Sequence, residues 1–240
     1  MPQMLDRAAR ARLRTLSKPN ADHVARHLVM AGRLVDVDPE VAYEHAREAM
    51  RSAGRVDIVR EAVALTAYAT GRYAEALREV RTVRRLSGVD AHPAIEADCE
   101  RGLGRPERAL TVAADAKRRE LPLADAVELT IVESGARADL GELDAALLTV
   151  QRLLPSIPSG ELQDRLLSVQ ADHLDALGRS EEAARARAAM GEAVPDSVIV
   201  SDLAPDSDDD PTGANASASE PAHTGGAESE AAPARNEEGT

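Results

Sequence analysis

A short glycine-centred motif occurs four times along this chain of 240 residues, at nearly equal intervals. Each glycine is followed five residues later by an alanine and preceded seven residues earlier by another small residue. The glycines, which are 33, 37 and 37 residues apart, are Gly71, Gly104, Gly141 and Gly178. A period of this length is typical of arrays in which every repeat is one supersecondary unit. We therefore expect a series of similar units.

Each unit is predicted to contain two antiparallel helices that meet at the glycine. Glycine ends the first helix because it adopts a left-handed conformation at little cost, and small residues let the two helix axes approach closely. The small residues before and after the four turns are Ala64 and Ala76, Ala97 and Ala109, Ser134 and Ala146, and Ala171 and Ala183. Twelve residues beyond the second small residue of each pair, the chain has a residue that ends helices or stands next to one. These positions are Gly88, Leu121 (which precedes Pro122), Pro158 and Pro195.

A fifth unit with a longer turn precedes these four. Gly32 has Ala25 seven residues before it, so we expect the first helix of this unit to end near Gly32. If five residues are inserted in the turn, Ala42 becomes the alanine after the turn and Gly54 the breaker. The predicted helix pairs are 20–31 with 39–53, 57–70 with 73–87, 93–103 with 106–119, 125–140 with 143–154, and 161–177 with 180–192. A helix near residues 4–15 would cover the apolar side of the first unit.

Composition favours an all-helical fold with a core of small and aliphatic side chains. The chain has three tyrosines, no phenylalanine and no tryptophan, so a core must be built from Ala, Leu and Val. Ala, Leu, Arg and Glu are strong helix formers. Ordinary helical bundles also contain glycine turns and alanine-rich interfaces, but they do not hold one period over five units.

The turn beginning at Gly71 resembles that of tetratricopeptide-repeat (TPR) proteins, in particular degenerate bacterial ones. Four turn residues and two repeat-end prolines match the family pattern, namely Gly71, Tyr73, Glu75, Ala76, Pro158 and Pro195. The resemblance covers residues 20–195. It implies a right-handed α-solenoid of about five TPR-like hairpins over residues 1–195, with an N-terminal capping helix. Other solenoids of helical pairs, with longer repeats, are the alternative.

The resemblance implies that partner contacts come from the first helix of each unit. Counting from the turn glycines, the inward polar positions are Asp22, Arg26, Glu61, Tyr68, Asp98, Arg101, Glu128, Asp139, Arg165, Asp172 and Asp175. Their charges are mixed in the first half of the chain and mostly acidic in the second, which suits a partially basic peptide or helix. The same charges also fit an ordinary solvated helix surface. Tyr68 is either an aromatic anchor for a partner or a packing residue beside Tyr73.

From these positions we expect a non-enzymatic scaffold or adaptor that binds another protein. The alternative is an RNA- or ribosome-associated protein that uses arginine stripes, because clustered cations attract phosphates. The stripe residues are Arg78, Arg81, Arg85, Lys117 and Arg118. No aromatic residues are interleaved with them for base stacking. Self-association through the terminal repeats is a third possibility.

No motif for catalysis, a cofactor or a metal is found. The sequence has no glycine-rich phosphate loop and no nucleophile elbow. His23 and His27 are four residues apart on one helical face, but catalytic zinc needs a third ligand. The single cysteine, Cys99, excludes an internal disulfide and is expected to be a buried apolar residue. We expect neither an enzyme nor a bound cofactor.

The last part of the chain, residues 196–240, is predicted to be a disordered acidic tail rich in Ala, Ser, Pro and Glu. From residue 195 onward there are eleven acidic residues and one basic residue, whereas residues 1–119 carry 22 Lys and Arg against 17 Asp and Glu. The tail could therefore compete with a partner for the basic part of the array. Because the sequence shows no secretory signal and no bilayer-spanning apolar segment, we expect a cytoplasmic protein.

Overall fold

A computed structural model of the chain describes residues 2–117 and 120–191. These ranges contain eleven α-helices, three short 3₁₀ helices and no strand. The helices are α1 Arg7–Arg12, α2 Lys18–Leu34, α3 Pro39–Ala53, α4 Asp57–Ala69, α5 Tyr73–Ser87, α6 Pro93–Gly102, α7 Pro106–Lys117, α8 Leu123–Asp139, α9 Leu143–Leu153, α10 Glu161–Ala176 and α11 Ser180–Ala188. The 3₁₀ helices are Pro2–Met4, Leu13–Thr15 and Leu154–Ser156. The predicted tail, 196–240, lies outside the described residues.

Consecutive helices pack in pairs, as the repeat predicts. The five hairpins are α2 with α3, α4 with α5, α6 with α7, α8 with α9, and α10 with α11. The expected helices 39–53 and 73–87 coincide with α3 and α5, and most other ends agree within about two residues, the usual uncertainty of a helix boundary. The all-helical class and the helix pairing are therefore confirmed.

The four turn glycines adopt the left-handed conformation that the motif predicts. Their φ angles are 72° at Gly71, 72° at Gly104, 79° at Gly141 and 74° at Gly178. In each turn, the N–H of the next residue donates to a carbonyl five residues earlier in the first helix, for example from Arg72 to Ala67 at 2.8 Å. These bonds satisfy carbonyl groups that the helix end would otherwise leave unpaired.

The first helix of hairpin 1 ends two residues beyond Gly32, and a longer turn follows it, close to the prediction for this unit. Gly32 lies inside α2, which continues to Leu34, and the turn is formed by residues 35–38. The second helix then begins at Pro39, where Asp38 accepts a hydrogen bond from the N–H of Val41. An aspartate at the N-cap followed by proline at the first helical position is a strong signal for the start of a helix.

The last helix is shorter than predicted. α11 ends at Ala188, about four residues before the expected end at 192. The N–H of Gly191 donates to a carboxylate oxygen of Asp164 at 3.1 Å, which takes the chain out of the helical path. Glycine has a low helix propensity and offers little resistance to this change.

The small residues around the turns are buried, as expected for closely approaching helices. All eight residues at these positions in hairpins 2–5 have no exposed surface, and Ala97 and Ala109 share one apolar cluster, as do Ala171 and Ala183. Cys99 is also fully buried. At the N-terminal end, Leu13 is buried against α2 together with Val24 and Leu28. None of the described helices combines the length and apolar character required to cross a lipid bilayer.

Candidate functional site

The first helices of successive hairpins are joined by packing or, for α4 and α6, by the hydrogen bond from Tyr68 to Asp98. α2 contacts α4, α6 contacts α8, and α8 contacts α10. Each first helix after α2 also packs on the second helix of the preceding hairpin. We call the surface formed by α2, α4, α6, α8 and α10 the first-helix surface. It carries all eight of the main candidate residues proposed from the sequence.

Four polar side chains form a continuous network across hairpins 2, 3 and 4. The Tyr68 hydroxyl donates to Asp98 Oδ2 at 2.6 Å, and Arg101 Nη1 donates to Asp98 Oδ1 at 2.8 Å. Arg101 Nε also donates to Asp139 Oδ2 at 2.6 Å. Three of these residues belong to the eight main candidates, and Asp139 was among the further inward positions. The structure therefore brings together residues that are up to 71 positions apart in the chain.

A cleft of about 510 Å³ opens beside this network. Its walls include Asp98, Arg101 and Asp139, together with the ring of Tyr73. Two carboxylates flank one guanidinium, so the cleft carries a net negative charge. It can accept a cation or a hydrogen-bond donor of a partner without leaving Arg101 unpaired.

Tyr68 packs within the protein rather than standing free on its surface. Its ring is half-buried, and its centroid lies 6.1 Å from that of Tyr73. Burial, followed by the hydrogen bond to Asp98, raises the pKa of the phenol well above its ordinary value. The hydroxyl is therefore a permanent donor to Asp98. Of the two predicted roles, the structure supports packing beside Tyr73.

The remaining candidates are distributed along the rest of the first-helix surface. Arg165 Nη2 donates to Glu128 Oε2 at 2.7 Å and so joins α10 to α8. Glu61 Oε1 lies 2.7 Å from Nε2 of His92, and Asp172 accepts from Arg187 Nη2 at 3.3 Å. The Arg26 side chain is the exception. It is exposed on α2 and makes no ion pair within the described residues.

The turn motif at Gly71 forms a second network, on the side of the second helices. Tyr43 Oη and Arg47 Nη1 of α3 each donate to Glu75 at 2.6 Å. Arg72 makes two hydrogen bonds to Glu40, of 3.0 and 2.9 Å, and its guanidinium lies 4.3 Å from the centre of the Tyr43 ring. These contacts join hairpins 1 and 2, so this motif stabilises the array as well as forming a turn.

The arginine stripe of α5 is joined to α6 by buried carboxylates. Arg81 donates from Nε to Glu96 and from Nη2 to Glu100, both at 2.8 Å. Arg84 Nη1 donates to the other oxygen of Glu96 at 2.8 Å, and Arg105 reaches Glu100 at 3.4 Å. Glu96 and Glu100 are only 3% and 1% exposed. A buried carboxylate needs such partners to remain charged.

The other stripe residues are less constrained by the fold. Arg78 pairs with Glu79 at 3.4 Å, and the exposed Arg85 contacts only the Thr82 hydroxyl among the described residues. Lys117 pairs with Glu133 of α8. Arg118 lies outside the described residues. Within the described residues, Arg81 and Lys117 therefore pair with carboxylates of a neighbouring helix, whereas the side-chain partners of Arg78 and Arg85 lie within α5.

Sequence reasoning missed the buried glutamates and one histidine. Glu96 and Glu100 are four residues apart, so they project from one face of α6. A basic face on α5 could have indicated their partners. His45 was also missed; its Nδ1 lies 2.9 Å from Nδ1 of His27, and the ring of His23 lies 4.7 Å from that of His27. In the described part of the chain, no three His, Cys, Asp or Glu side chains are arranged to hold a metal ion.

No protein-family model matches the chain, and comparisons with curated proteins and with solved structures give no significant match.

Proposed function

We propose that this protein is a non-enzymatic interaction scaffold that holds a segment of another protein on its first-helix surface. In this proposal the five hairpins form a right-handed, TPR-like α-solenoid, and the first helices line its concave side. The contacts of α2 with α4, of α6 with α8 and of α8 with α10 support this arrangement, as does the Tyr68–Asp98 hydrogen bond between α4 and α6. First helices joined in sequence form one continuous surface.

The observation that carries the proposal is the cleft beside Arg101. Residues from hairpins 2, 3 and 4 converge there, and their side chains are held in place by direct hydrogen bonds. Polar groups that are fixed before binding lose little conformational entropy when a partner arrives. The acidic excess at this cleft favours a partner segment that supplies a cation or several N–H donors.

The alternative proposal, an RNA- or ribosome-associated protein, rests on the exposed guanidinium groups of Arg78 and Arg85. Two exposed cations give a weak attraction to phosphate. Arg81 and Arg84 contribute little to it, because their charges are opposed by Glu96 and Glu100 at hydrogen-bond distance. The scaffold proposal is therefore the stronger of the two.

The two proposals can be separated by affinity capture from a native lysate with two matched variants of the full chain. Arg101→Ala removes the guanidinium at the cleft, and Arg78→Ala with Arg85→Ala removes the exposed stripe. For a scaffold, we expect a stoichiometric protein that survives nuclease treatment, is lost with Arg101→Ala and is retained with the double variant. Loss on nuclease treatment and with the double variant alone would instead establish nucleic-acid association. Capture that neither variant changes would contradict both proposals.

A further inference from the structure

An apolar cleft of about 300 Å³ lies between the first helices of hairpins 1 and 2, separate from the cleft beside Arg101. The N-terminal segment contributes Leu5 to one wall. The helices α2 and α4 and the first residue after α2 contribute the other apolar walls, chiefly Leu28, Val35, Ile58, Ala62 and Leu65. All of these side chains except Leu28 are only partly buried, so aliphatic surface faces the opening.

The residue at position 32, on the wall of the cleft, is a glycine. Gly32 lies in the last turn of α2 and lines the cleft, and a β-carbon built there would meet no atom within 4 Å. Its φ angle is not positive, so the backbone does not require glycine, and no close contact requires it either. Glycine is a poor helix residue. Position 32 can therefore take a larger side chain at the edge of the cleft without a clash at its β-carbon.

One charged side chain forms part of the cleft wall. The carboxylate of Glu61 lies against His92, and this hydrogen bond, opposed by burial, lowers the pKa of Glu61. Arg12 also acts on Glu61, but Arg12 is itself paired with Asp57. The cleft thus combines an aliphatic pocket with a carboxylate whose partner, among the described residues, is a histidine rather than a lysine or an arginine. A ligand that matches both features needs an aliphatic group next to a positive charge.

We propose that this cleft anchors a basic partner segment by taking up one of its aliphatic side chains, while a neighbouring lysine or arginine of the segment pairs with Glu61. The inference rests on the proposed function, since it names the chemistry of the segment that the first-helix surface binds. Burial of the aliphatic side chain supplies binding free energy, and Glu61 favours a basic over an acidic residue next to it in the segment.

The test uses the full chain and an array of short peptides in which leucine, isoleucine or alanine stands next to lysine, alanine or glutamate. We expect binding to peptides that combine leucine or isoleucine with lysine. Gly32→Leu should fill the cleft and weaken this binding by about tenfold or more, which corresponds to about 1.4 kcal/mol. Gly32→Ala is the matched control, because a methyl group meets no neighbour and leaves most of the cleft open. Its affinity should stay within about twofold of the unmodified chain, since a methyl group that meets no neighbour alters little.

Glu61→Gln tests the charge separately from the pocket. This variant should bind leucine–lysine and leucine–alanine peptides equally, while it keeps the preference for leucine over alanine. Thermal melting of each variant verifies that it is folded. Peptide binding that Gly32→Leu leaves unchanged would overturn the inference but not the proposed function. Absence of binding to any peptide would overturn the inference alone, because the proposed function is tested separately by the capture experiment with Arg101→Ala. A preference for glutamate-containing peptides would overturn the role of Glu61. If Gly32→Leu instead abolished self-association in sedimentation experiments, the cleft would be a contact between copies of the chain, and the inference would be wrong.

Discussion

Arg101 lies so close to Gly135 that a β-carbon at position 135 would be 2.9 Å from the central carbon of the guanidinium group. The two residues belong to α6 and α8, in neighbouring hairpins. Because residue 135 has no side chain, Arg101 can cross the surface of α8 and reach Asp139. Gly135 therefore determines the position of the arginine at the candidate cleft.

Gly135→Ala is expected to move Arg101 away from Asp139 while the chain stays folded. The clash falls on the end of a flexible side chain, and alanine favours the helix by about 1 kcal/mol over glycine. The free energy of unfolding in urea should therefore change by less than about 1 kcal/mol. A double-mutant cycle with Arg101→Ala and Asp139→Ala should give a coupling of about 0.5 kcal/mol in the parent chain and none in the Gly135→Ala background. An equal coupling in both backgrounds would disprove the displacement.

Gly102→Ala should destabilise the chain, in contrast to the small effect expected for Gly135→Ala. A β-carbon there would lie 2.8 Å from Cγ of Tyr73 and closer still to Cδ2, so the body of the ring must move. Overpacking of this kind costs about 1–3 kcal/mol of unfolding free energy. The matched variant Gly32→Ala meets no atom and should be neutral or stabilising by up to about 1 kcal/mol. Urea denaturation measures the unfolding free energies of Gly102→Ala and Gly32→Ala. Equal changes in the two variants would show that the contact with Tyr73 does not determine the cost at position 102.

The repeat could be predicted from sequence because its determinants are local. A left-handed turn at Gly71 depends on the residues of that turn, and the burial of Ala64 and Ala76 follows from their fixed distance to it. At Gly32 the backbone is not left-handed, and α2 runs two residues further before the turn at residues 35–38. Asp38 then caps the start of α3.

The candidate site was only partly predictable, because pairing between elements depends on how hairpins pack. Helical counting placed Tyr68, Asp98 and Arg101 on one surface, and the structure joins them by hydrogen bonds. The same counting assigned Arg81 to a phosphate-binding stripe, whereas its guanidinium faces Glu96 and Glu100. Such a pairing is decided by the contact of α5 with α6, which no spacing within either helix specifies.

Arg81→Ala is expected to destabilise the chain strongly. It removes one of two cationic partners from each of two nearly buried carboxylates. Because Arg84 and Arg105 remain and the Arg81 side chain is 43% exposed, the loss should stay below that of a buried charge without any partner. We expect about 2 kcal/mol in urea denaturation at neutral pH. Arg85→Ala is the control, because this exposed side chain contacts only Thr82 among the described residues, and it should change stability by less than about 0.5 kcal/mol. Similar small losses for both variants would show that Arg84 and Arg105 are sufficient partners.

Acid should weaken the first hairpin through the contact of His27 with His45. Their Nδ1 atoms are 2.9 Å apart, a distance at which the two nitrogens can share only one proton. Burial, followed by the charges of His23 and His45, lowers the pKa of His27; Arg26 acts in the same direction, and Glu48 of α3 opposes it. Because the folded pKa lies below the unfolded value of 6.5, the unfolded chain binds more protons as the pH falls below 6.5.

Unfolding free energy should therefore decrease as the pH is lowered from about 7 to about 5, before most carboxylates titrate. His27→Gln removes this titration and should make the pH dependence shallower over the same interval. Part of the pH dependence will remain because burial also lowers the pKa of His173. The double variant His27→Gln with His173→Gln should therefore show a still weaker dependence of unfolding free energy on pH. Urea denaturation at several pH values measures these slopes. A parent chain whose stability is constant or rises on acidification through this interval would show that neither histidine is held neutral by the fold.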